Sequence, residues 1–412
     1  MHFRKTLFLT AAALLSVSFP FEAFLSSAAP AAVYYPESEE AETEEPGFAL
    51  SELAVRTDNS DEAPVLSGGE IRFLANTASS RQQLCGVFKS SDGKVLVVDG
   101  GVSENAPHLL SVLKEYGGRV DAWLITHPQD DHVGALNEIL RNHPKEVDIQ
   151  NIYFHFNSPE WYKSVAPEDV PMIEALTEAL KTLPPGRLHG FSGNTTQDSS
   201  ADSAAKETSE ETSEAASEAA SETTSETTSG SAAGGSAENQ DSSSRAKSAS
   251  APSIIYSSKN KKKKNPYSPI AKGQTVTLSG RLSFRILNDP LQIPGSYAVN
   301  NSSIMYDIEI DGKHVIVLGD MGPDGGDRLL PEIRAIRLKT DFVVMAHHGQ
   351  NGVRENFYLA LNPKACIWSS PDWLFDASPK NQKLRTSETK SWVNAMGITK
   401  NYCTKDGDVV IR

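Results

Sequence analysis

From Asn194 to Ser250 the chain consists mostly of Ser, Thr, Glu, Ala and Gly. Such a composition buries too little apolar surface to offset the entropy lost on ordering. With its flanks, as residues 192–267, the stretch reads as a disordered insert, so whatever folds must be assembled from the segments on either side. A surface connection tolerates that length at little entropic cost. Near its end, Lys259 to Lys264 holds five lysines in six residues. One reading is a polybasic clamp for nucleic acid or an anionic cell wall. The other, which we favour, is a solvated linker end.

The two flanking segments share one pattern. In the first, Ile71 to Ala75, Leu84 to Lys89 and Lys94 to Val98 read as a β-meander, with Ser91-Asp92-Gly93 as a turn. A helix from Pro107 to Tyr116 stops at Gly117-Gly118, an apolar strand runs from Val120 to Thr126, and helix Gly134 to Arg141 leads to strand Ile149 to Phe156. A helical stretch, Val170 to Leu183, follows. In the second segment, strands at Thr275 to Leu278, Leu282 to Leu287, Ser303 to Ile310 and Lys313 to Leu318 form another meander, turning at Asp311-Gly312. Helix Arg328 to Ile336, strand Phe342 to Ala346, helix Val353 to Leu361, strand Ala365 to Ser369, helix Ser387 to Met396 and two short strands complete it. Two such halves predict an α/β fold in which two sheets pack face to face with helices outside, over residues 70–412.

Residues 1–32 have the three-part layout of a secretory signal: His2, Arg4 and Lys5, the apolar run Leu7 to Val17, then small residues from Ser26 to Ala32. The run is shorter than the ~20 residues a span requires, and Pro20 interrupts its continuation. Residues 33–69 are acidic and lack apolar periodicity, as in a disordered spacer. The expected location is therefore outside the cytoplasm, secreted or at the cell surface, with no transmembrane segment after cleavage. The net charge of −14 arises chiefly in Glu37 to Glu62 and Asp198 to Asp241, whereas Pro252 to Arg412 is net basic, so overall acidity does not exclude a polyanionic substrate. The three cysteines, Cys85, Cys366 and Cys403, are too few for a disulfide scaffold. For Cys366 and Cys403, a disulfide and two buried thiols are both open.

Chemistry concentrates where strands end. Trp123 to Gly134 reads W-L-I-T-H-P-Q-D-D-H-V-G, with two imidazoles and two carboxylates within six residues. An apolar strand feeding such a loop is how a rigid scaffold presents metal ligands. Three other apolar strands end alike: Val95 to Val98 before Asp99-Gly100-Gly101, Val315 to Leu318 before Gly319-Asp320, and Phe342 to Ala346 before His347-His348-Gly349. Singly each is an ordinary turn Asp or surface His. Together they predict a convergent site on one rim of the sandwich.

Thr126 to Gly134 resembles the H-x-H-x-D-H signature of the metallo-β-lactamase superfamily. Together with Val98-Asp99-Gly100-Gly101, Asn300-Asn301-Ser302-Ser303, Leu318-Gly319-Asp320 and Ala346-His347-His348-Gly349, it is similar, in order, to the soluble hydrolase domain of the ComEC family of DNA-uptake proteins. The likeness covers about residues 70–412 without the insert, and lacks that family's membrane segments. It implies a four-layer αββα sandwich holding a divalent metal, Zn2+ or Mn2+, as one or two ions. The metal ligands it implies are His127, Asp131, His132, Asp320 and His347, with His348 as the alternative to His347. Gln129 stands where the superfamily has a second His, and Asn301 and Ser302 occupy the region of its third-motif His. The His127 half of a two-metal centre is thus the less complete.

Hydrolysis by a metal-activated water follows, with Asp131 or Asp320 orienting the water and His348 donating to a leaving oxygen. Asp99 is expected to orient the His127 loop, with Gln129, Asn301 and Ser302 as further supporting or substrate-facing residues. The implied activity is that of an exported phosphodiesterase or nuclease acting on nucleic acid or a cell-envelope phosphodiester. The competing readings are a catalytically degenerate surface protein and a hydrolase of lactone-type carbonyl substrates. Phe154, Phe156, Trp161 and Tyr162 read as core or loop anchors, with ring stacking as the rarer alternative.

Overall fold

The computed structural model describes residues 64–191, 267–381 and 383–412. The expected export signal, most of the acidic spacer and all but the last residue of the insert lie outside the described residues. In the first half the elements run β1 (Glu70–Phe73), β2 (Cys85–Lys89), β3 (Val95–Asp99), α1 (Ala106–Glu115), β4 (Arg119–Val120), β5 (Ala122–Leu124), α2 (Asp130–Asn142), β6 (Asp148–Ile149), β7 (Ile152–Phe154), α3 (Pro159–Val165), α4 (Val170–Leu180) and β8 (Leu188–Phe191). The second half runs β9 (Ser268–Ile270), β10 (Thr275–Thr277), β11 (Leu282–Ile286), α5 (Ala298–Asn301), β12 (Tyr306–Ile310), β13 (Lys313–Val317), α6 (Pro323–Ile336), β14 (Phe342–Val344), α7 (Glu355–Leu361), β15 (Ala365–Trp368), α8 (Asp372–Phe375), α9 (Thr386–Ala395), β16 (Lys400–Cys403) and β17 (Val409–Ile411).

Among the described residues these strands form an eight-stranded sheet, β17-β1-β2-β3-β5-β7-β8-β9, and a seven-stranded sheet running β10 to β16 in order. The inner strands are apolar on both faces, and the pleat divides their side chains between two environments. In β3, Leu96 and Val98 enter the core between the sheets, while Val95 and Val97 face the helices. In β13, Val315 and Val317 point inward and Ile316 outward. β5 and β14 divide the same way, with Trp123 and Val343 on their helix-covered faces. This double burial makes the four-layer αββα sandwich that the sequence predicts.

Four details differ from the sequence pattern. Helix α2 starts at Asp130, four residues before Gly134, with extended Gln129 as its N-cap. Asp130 and Asp131 sit in its first turn, where acidic side chains complement the helix dipole. Helix α6 likewise starts early, at Pro323, and runs through Gly325 and Gly326. These glycines are there for close approach: a Cβ at Gly325 would lie 2.7 Å from Asn301 Oδ1, and one at Gly326 2.8 Å from a methyl of Val353. The last strand, β17, crosses back to the first sheet and pairs with β1, Ile71 opposite Ile411. Finally, β8 and β9, expected by neither segment's pattern at these positions, lie side by side and parallel, His189 opposite Ser268.

All three cysteines are free. Cys366 lies opposite Asn401 and Cys403 opposite Trp368, a two-residue offset between neighbouring strands that keeps their sulfurs apart. No helix of the described residues is long and apolar enough to cross a membrane.

Candidate metal centre

The rim where β3, β5, β13 and β14 end carries the polar residues. β3 terminates in Asp99, whose backbone is left-handed (φ 59°) and whose side chain is fully buried. Its Oδ1 accepts from the Thr126 amide at 2.8 Å, and its Oδ2 accepts from Thr126 Oγ1 at 2.9 Å. The same Oδ2 faces His132 Nδ1 at 2.8 Å. A carboxylate can only accept, so the proton lies on His132 Nδ1 and Nε2 is left to face the centre of the site. Asp99 therefore orients His132 on α2 as well as anchoring the start of the His127 loop.

The opposite wall is set by a turn at Ala346–Gly349 in which both His347 (φ 51°) and His348 (φ 57°) are left-handed. Consecutive residues of this kind are strained, and here the bend turns the two rings to different places. His348 is fully buried, and its Nδ1 faces the Ser369 carbonyl at 2.9 Å. That acceptor fixes the proton on Nδ1 and directs Nε2 inward, 3.3 Å from Asp131 Oδ2 and 3.6 Å from Asp320 Oδ2. His347 is stacked edge-on against Tyr297, with Nε2 3.7 Å from Asp320 Oδ2.

Asp320 follows Gly319, another left-handed position, where a Cβ would fall 2.8 Å from Thr126 Cβ and 2.9 Å from Ser303 Oγ. Only glycine lets the two halves approach this closely. Asp320 Oδ1 lies 3.1 Å from His132 Nε2. Thus Asp131, His132, Asp320 and His348 each offer an atom to one point, all within 4.8 Å of one another. His132 Nε2, His348 Nε2 and Asp320 Oδ1 are buried with no hydrogen-bond partner. Buried polar atoms are rarely left so. Two imidazole nitrogens and two carboxylates, converging with three atoms unsatisfied, fit a divalent cation.

His127 and His347, both expected as ligands, stand outside this set of four. His127 Nε2 is 3.9 Å from Asp320 Oδ2 and pairs instead with Gln129 Oε1 at 3.0 Å. The Gln129 amide nitrogen in turn donates to Asp169 Oδ2 at 3.2 Å. Asn301 and Ser302 are also turned away: Asn301 Oδ1 accepts from the Gly325 amide, and Ser302 Oγ donates to the Val299 carbonyl. Their neighbours face the site, with Asn300 Nδ2 3.4 Å from Asp320 Oδ2 and Ser303 Oγ accepting from the Asp320 amide. The helical turn of α5 causes this one-residue shift, since each residue rotates the side chain by about 100°. Two contributors carry no local sequence signal. Gln82 Nε2 donates to Asp131 Oδ2 at 3.0 Å, and Asp169, at the head of α4, reaches Gln129 across forty residues. Asp130 points outward to Arg81, 2.7 Å away.

Charge is unevenly distributed over the cluster. Burial opposes ionisation of Asp131 and Asp320, but the imidazoles of His132 and His348 outweigh it and hold both carboxyls below the usual range. Reciprocally, burial lowers His132 and His348, and the surrounding carboxylates, Asp320 foremost, raise both above an ordinary histidine. In Asp99 burial prevails and raises its pKa. His127 goes the other way, pushed down to about 3 by burial and then by repulsion from His132. Burial pushes Asp169 up to about 6.

Residues 79–198 match the family model of the metallo-beta-lactamase superfamily, a span that holds Asp99, His127, Asp131 and His132. A hydroxyacylglutathione hydrolase of Aliivibrio salmonicida (strain LFI1238) is 43% identical over 58 residues, 14% of this chain and 22% of that relative's length. Among solved structures, the metallo-beta-lactamase fold protein YhfI from Bacillus subtilis aligns at 10% identity over 84% of this chain and 99% of its own, with a TM-score of 0.39. Zn2+-bound PqqB from Methylobacterium extorquens aligns at 10% identity over 83% and 99%, with a TM-score of 0.38. Residues 79–198 are thus similar to the metallo-beta-lactamase superfamily, and the αββα architecture carries a candidate metal site.

Proposed function

We propose that this chain is a metal-dependent hydrolase, exported from the cytoplasm, whose substrates are phosphodiesters such as single-stranded nucleic acid or a cell-envelope polymer. The observation that carries the hydrolase reading is the convergence of Asp131, His132, Asp320 and His348 with three buried atoms unsatisfied. These four residues would hold the ion, and the mixed nitrogen and oxygen set suits Zn2+ or Mn2+. When bound, such an ion polarises a phosphoryl or carbonyl oxygen and brings the deprotonation of water towards neutral pH.

The chain's own groups prepare the site. Asp99 and the Ser369 carbonyl hold the two imidazoles in the tautomer that faces the centre. Gln82 fixes Asp131, whose carboxylate lies at the exposed side of the cluster and can orient a water or accept its proton. His347, half turned towards Tyr297 and only 13% exposed, borders the set from outside, 3.7 Å from Asp320 Oδ2, and is the residue we assign to leaving-oxygen protonation. That role was expected of His348, which we assign instead to the cluster because its Nε2 lies among the converging atoms.

The phosphodiester assignment is supported by the similarity to the ComEC hydrolase domain across four strand ends. The hydroxyacylglutathione hydrolase match favours a second reading, a carbonyl-centred substrate such as a thioester or lactone. Elemental analysis of the purified protein, followed by parallel assays on single-stranded DNA, a chromogenic phosphodiester and a lactone, separates them. Stoichiometric metal with DNA or phosphodiester cleavage, abolished by His132→Ala, is the expected result. Lactone hydrolysis alone transfers the assignment to the second reading. Protein that is inert with added Mn2+ or Zn2+ removes both and leaves the degenerate surface protein.

A further inference from the structure

Two glutamines join the halves of the fold beside the candidate metal centre. Gln82 precedes β2 in the first half, and Gln350 follows the left-handed His347-His348 turn in the second. Gln350 Nε2 donates to Gln82 Oε1 at 2.8 Å, and Gln82 Nε2 donates to Asp131 Oδ2 at 3.0 Å. Gln350 is only 7% exposed, and its backbone amide donates to the His347 carbonyl at 2.9 Å. The polarity of this chain is dictated by its end. A carboxylate only accepts, so Gln82 must turn its NH2 to Asp131 and its oxygen to position 350, which then has to supply a donor. Glutamate at 350 would set oxygen against oxygen, and lysine would bring a positive charge towards a cation site. A neutral amide long enough to reach Gln82 meets both conditions.

Asp131 needs such a hold. It lies in the first turn of α2, whose N-cap, Gln129, makes no side-chain capping bond. The first amides of a helix attract carboxylates, and an Asp131 side chain turned back towards them would leave the cluster. The donation from Gln82 fixes Oδ2 on the cluster side, 3.3 Å from His348 Nε2. A second line runs from the same segment to His348 itself. The Gln83 carbonyl accepts from Ser369 Oγ at 2.6 Å, and the Ser369 carbonyl faces His348 Nδ1 at 2.9 Å. Residues 82 and 83 thus brace members of the cluster from both halves of the fold.

We propose that Gln350 is a positioning residue which, acting through Gln82, sets the Asp131 carboxylate for binding the ion. The proposal rests on the metal-dependent reading of the cluster and extends it from Gln82 to the turn that carries His348. Two hydrogen bonds in series make one device. Removing either should therefore have the same effect, and removing both no more than removing one.

Zn2+ affinity by dye competition, together with the visible spectrum of the Co2+-loaded full chain, tests this on Gln82→Met, Gln350→Met and the double variant. Methionine keeps the unbranched shape of glutamine and removes its amide. Each single variant should bind Zn2+ about tenfold more weakly than the native chain. Each should also shift the Co2+ bands in the same way, because those bands report ligand geometry, which a loss of packing alone would not move. The double variant should stay within about twofold of Gln82→Met. Gln350→Asn, one methylene too short to reach Gln82, should match Gln350→Met and replaces it if urea melts in excess chelator show that the methionine variant does not fold. Native Zn2+ affinity and an unshifted Co2+ spectrum in a folded Gln350 variant overturn the proposal. So does a double variant about 100-fold weaker than the native chain, which would make the two residues independent. A native chain that takes up neither Zn2+ nor Co2+ removes the metal-dependent reading, and this proposal with it.

Discussion

Replacing Asp99 by Asn isolates the claim that this residue acts on a metal through His132. The substitution keeps the size and planarity of the side chain. One oxygen remains for the Thr126 amide, and an NH2 takes the place of Oδ2, which now meets both Thr126 Oγ1 and His132 Nδ1. Two donors cannot face each other, so His132 must move its proton to Nε2, the atom 3.1 Å from Asp320 Oδ1 and central to the candidate site. Loss of such an orienting partner weakens metal binding by about 10- to 100-fold, or about 1.4 to 2.7 kcal/mol. Stability of the metal-free protein should change less, by about 1 kcal/mol. The lost charged hydrogen bonds are offset by removal of a carboxylate that burial makes costly to ionise. Competition with a chelating dye gives the affinity, and chemical denaturation in excess chelator gives the stability. Unchanged metal affinity with a loss of stability above about 3 kcal/mol would make Asp99 a structural anchor for Thr126 and refute the argument.

The two consecutive histidines should differ: His348→Ala should lower metal affinity at least 100-fold, whereas His347→Ala should leave affinity within about fivefold and act on turnover. Dye competition and kcat measured on both variants distinguish them. Gln129→His should change the metal content from one ion to two, read by elemental analysis, because it removes the amide that pairs with His127 Nε2. His108 on α1 bonds Asp408 just before β17, at 3.1 Å, and that hydrogen bond raises its pKa above the ordinary value. A histidine raised on folding contributes stability that is fully present below its unfolded pKa of about 6.5 and is lost as pH rises through the folded value. The stability difference between the native chain and His108→Gln should therefore be about 1 kcal/mol at pH 6 and shrink towards pH 9 in urea melts. A difference that grows with pH contradicts the assignment.

The strand ends were legible because double burial writes itself into sequence as short all-apolar runs, and a polar residue closing such a run stands out. That is why Asp99, His127, Asp320 and the His347-His348 pair could be placed on one rim. What stayed hidden depends on rotation and on distant pairing. The Asp130-Asp131-His132 string reads as a loop, yet it is the first turn of α2, since acidic residues suit a helix start as well as a turn. The choice between His347 and His348 rests on two left-handed backbone angles that no residue type announces. The choice of Asn300 and Ser303 over Asn301 and Ser302 rests on where the short helix α5 begins. Nothing local links β17 to β1, or Gln82 and Asp169 to the site, because their partners lie far away in the chain.

The least expected outcome is how thoroughly the His127 side is occupied by the chain itself. At neutral pH Asp169, pushed to about 6, is mainly ionised and accepts from the Gln129 amide nitrogen. That donation turns Oε1 towards His127 Nε2 at 3.0 Å, so this nitrogen must carry the proton. Nδ1 is then the basic atom, and it lies 3.1 Å from Thr126 Oγ1 and 3.4 Å from Ser303 Oγ. An imidazole whose inward nitrogen holds a proton has no lone pair to offer there. The chain Asp169, Gln129, His127 thus does for one half of the site what Asp99 does for the other, with the opposite result: Asp99 presents a lone pair at His132, and Gln129 withdraws one at His127. The amide at position 129 links His127 to Asp169 and accounts for the absence of the histidine that opens the motif from the four converging residues.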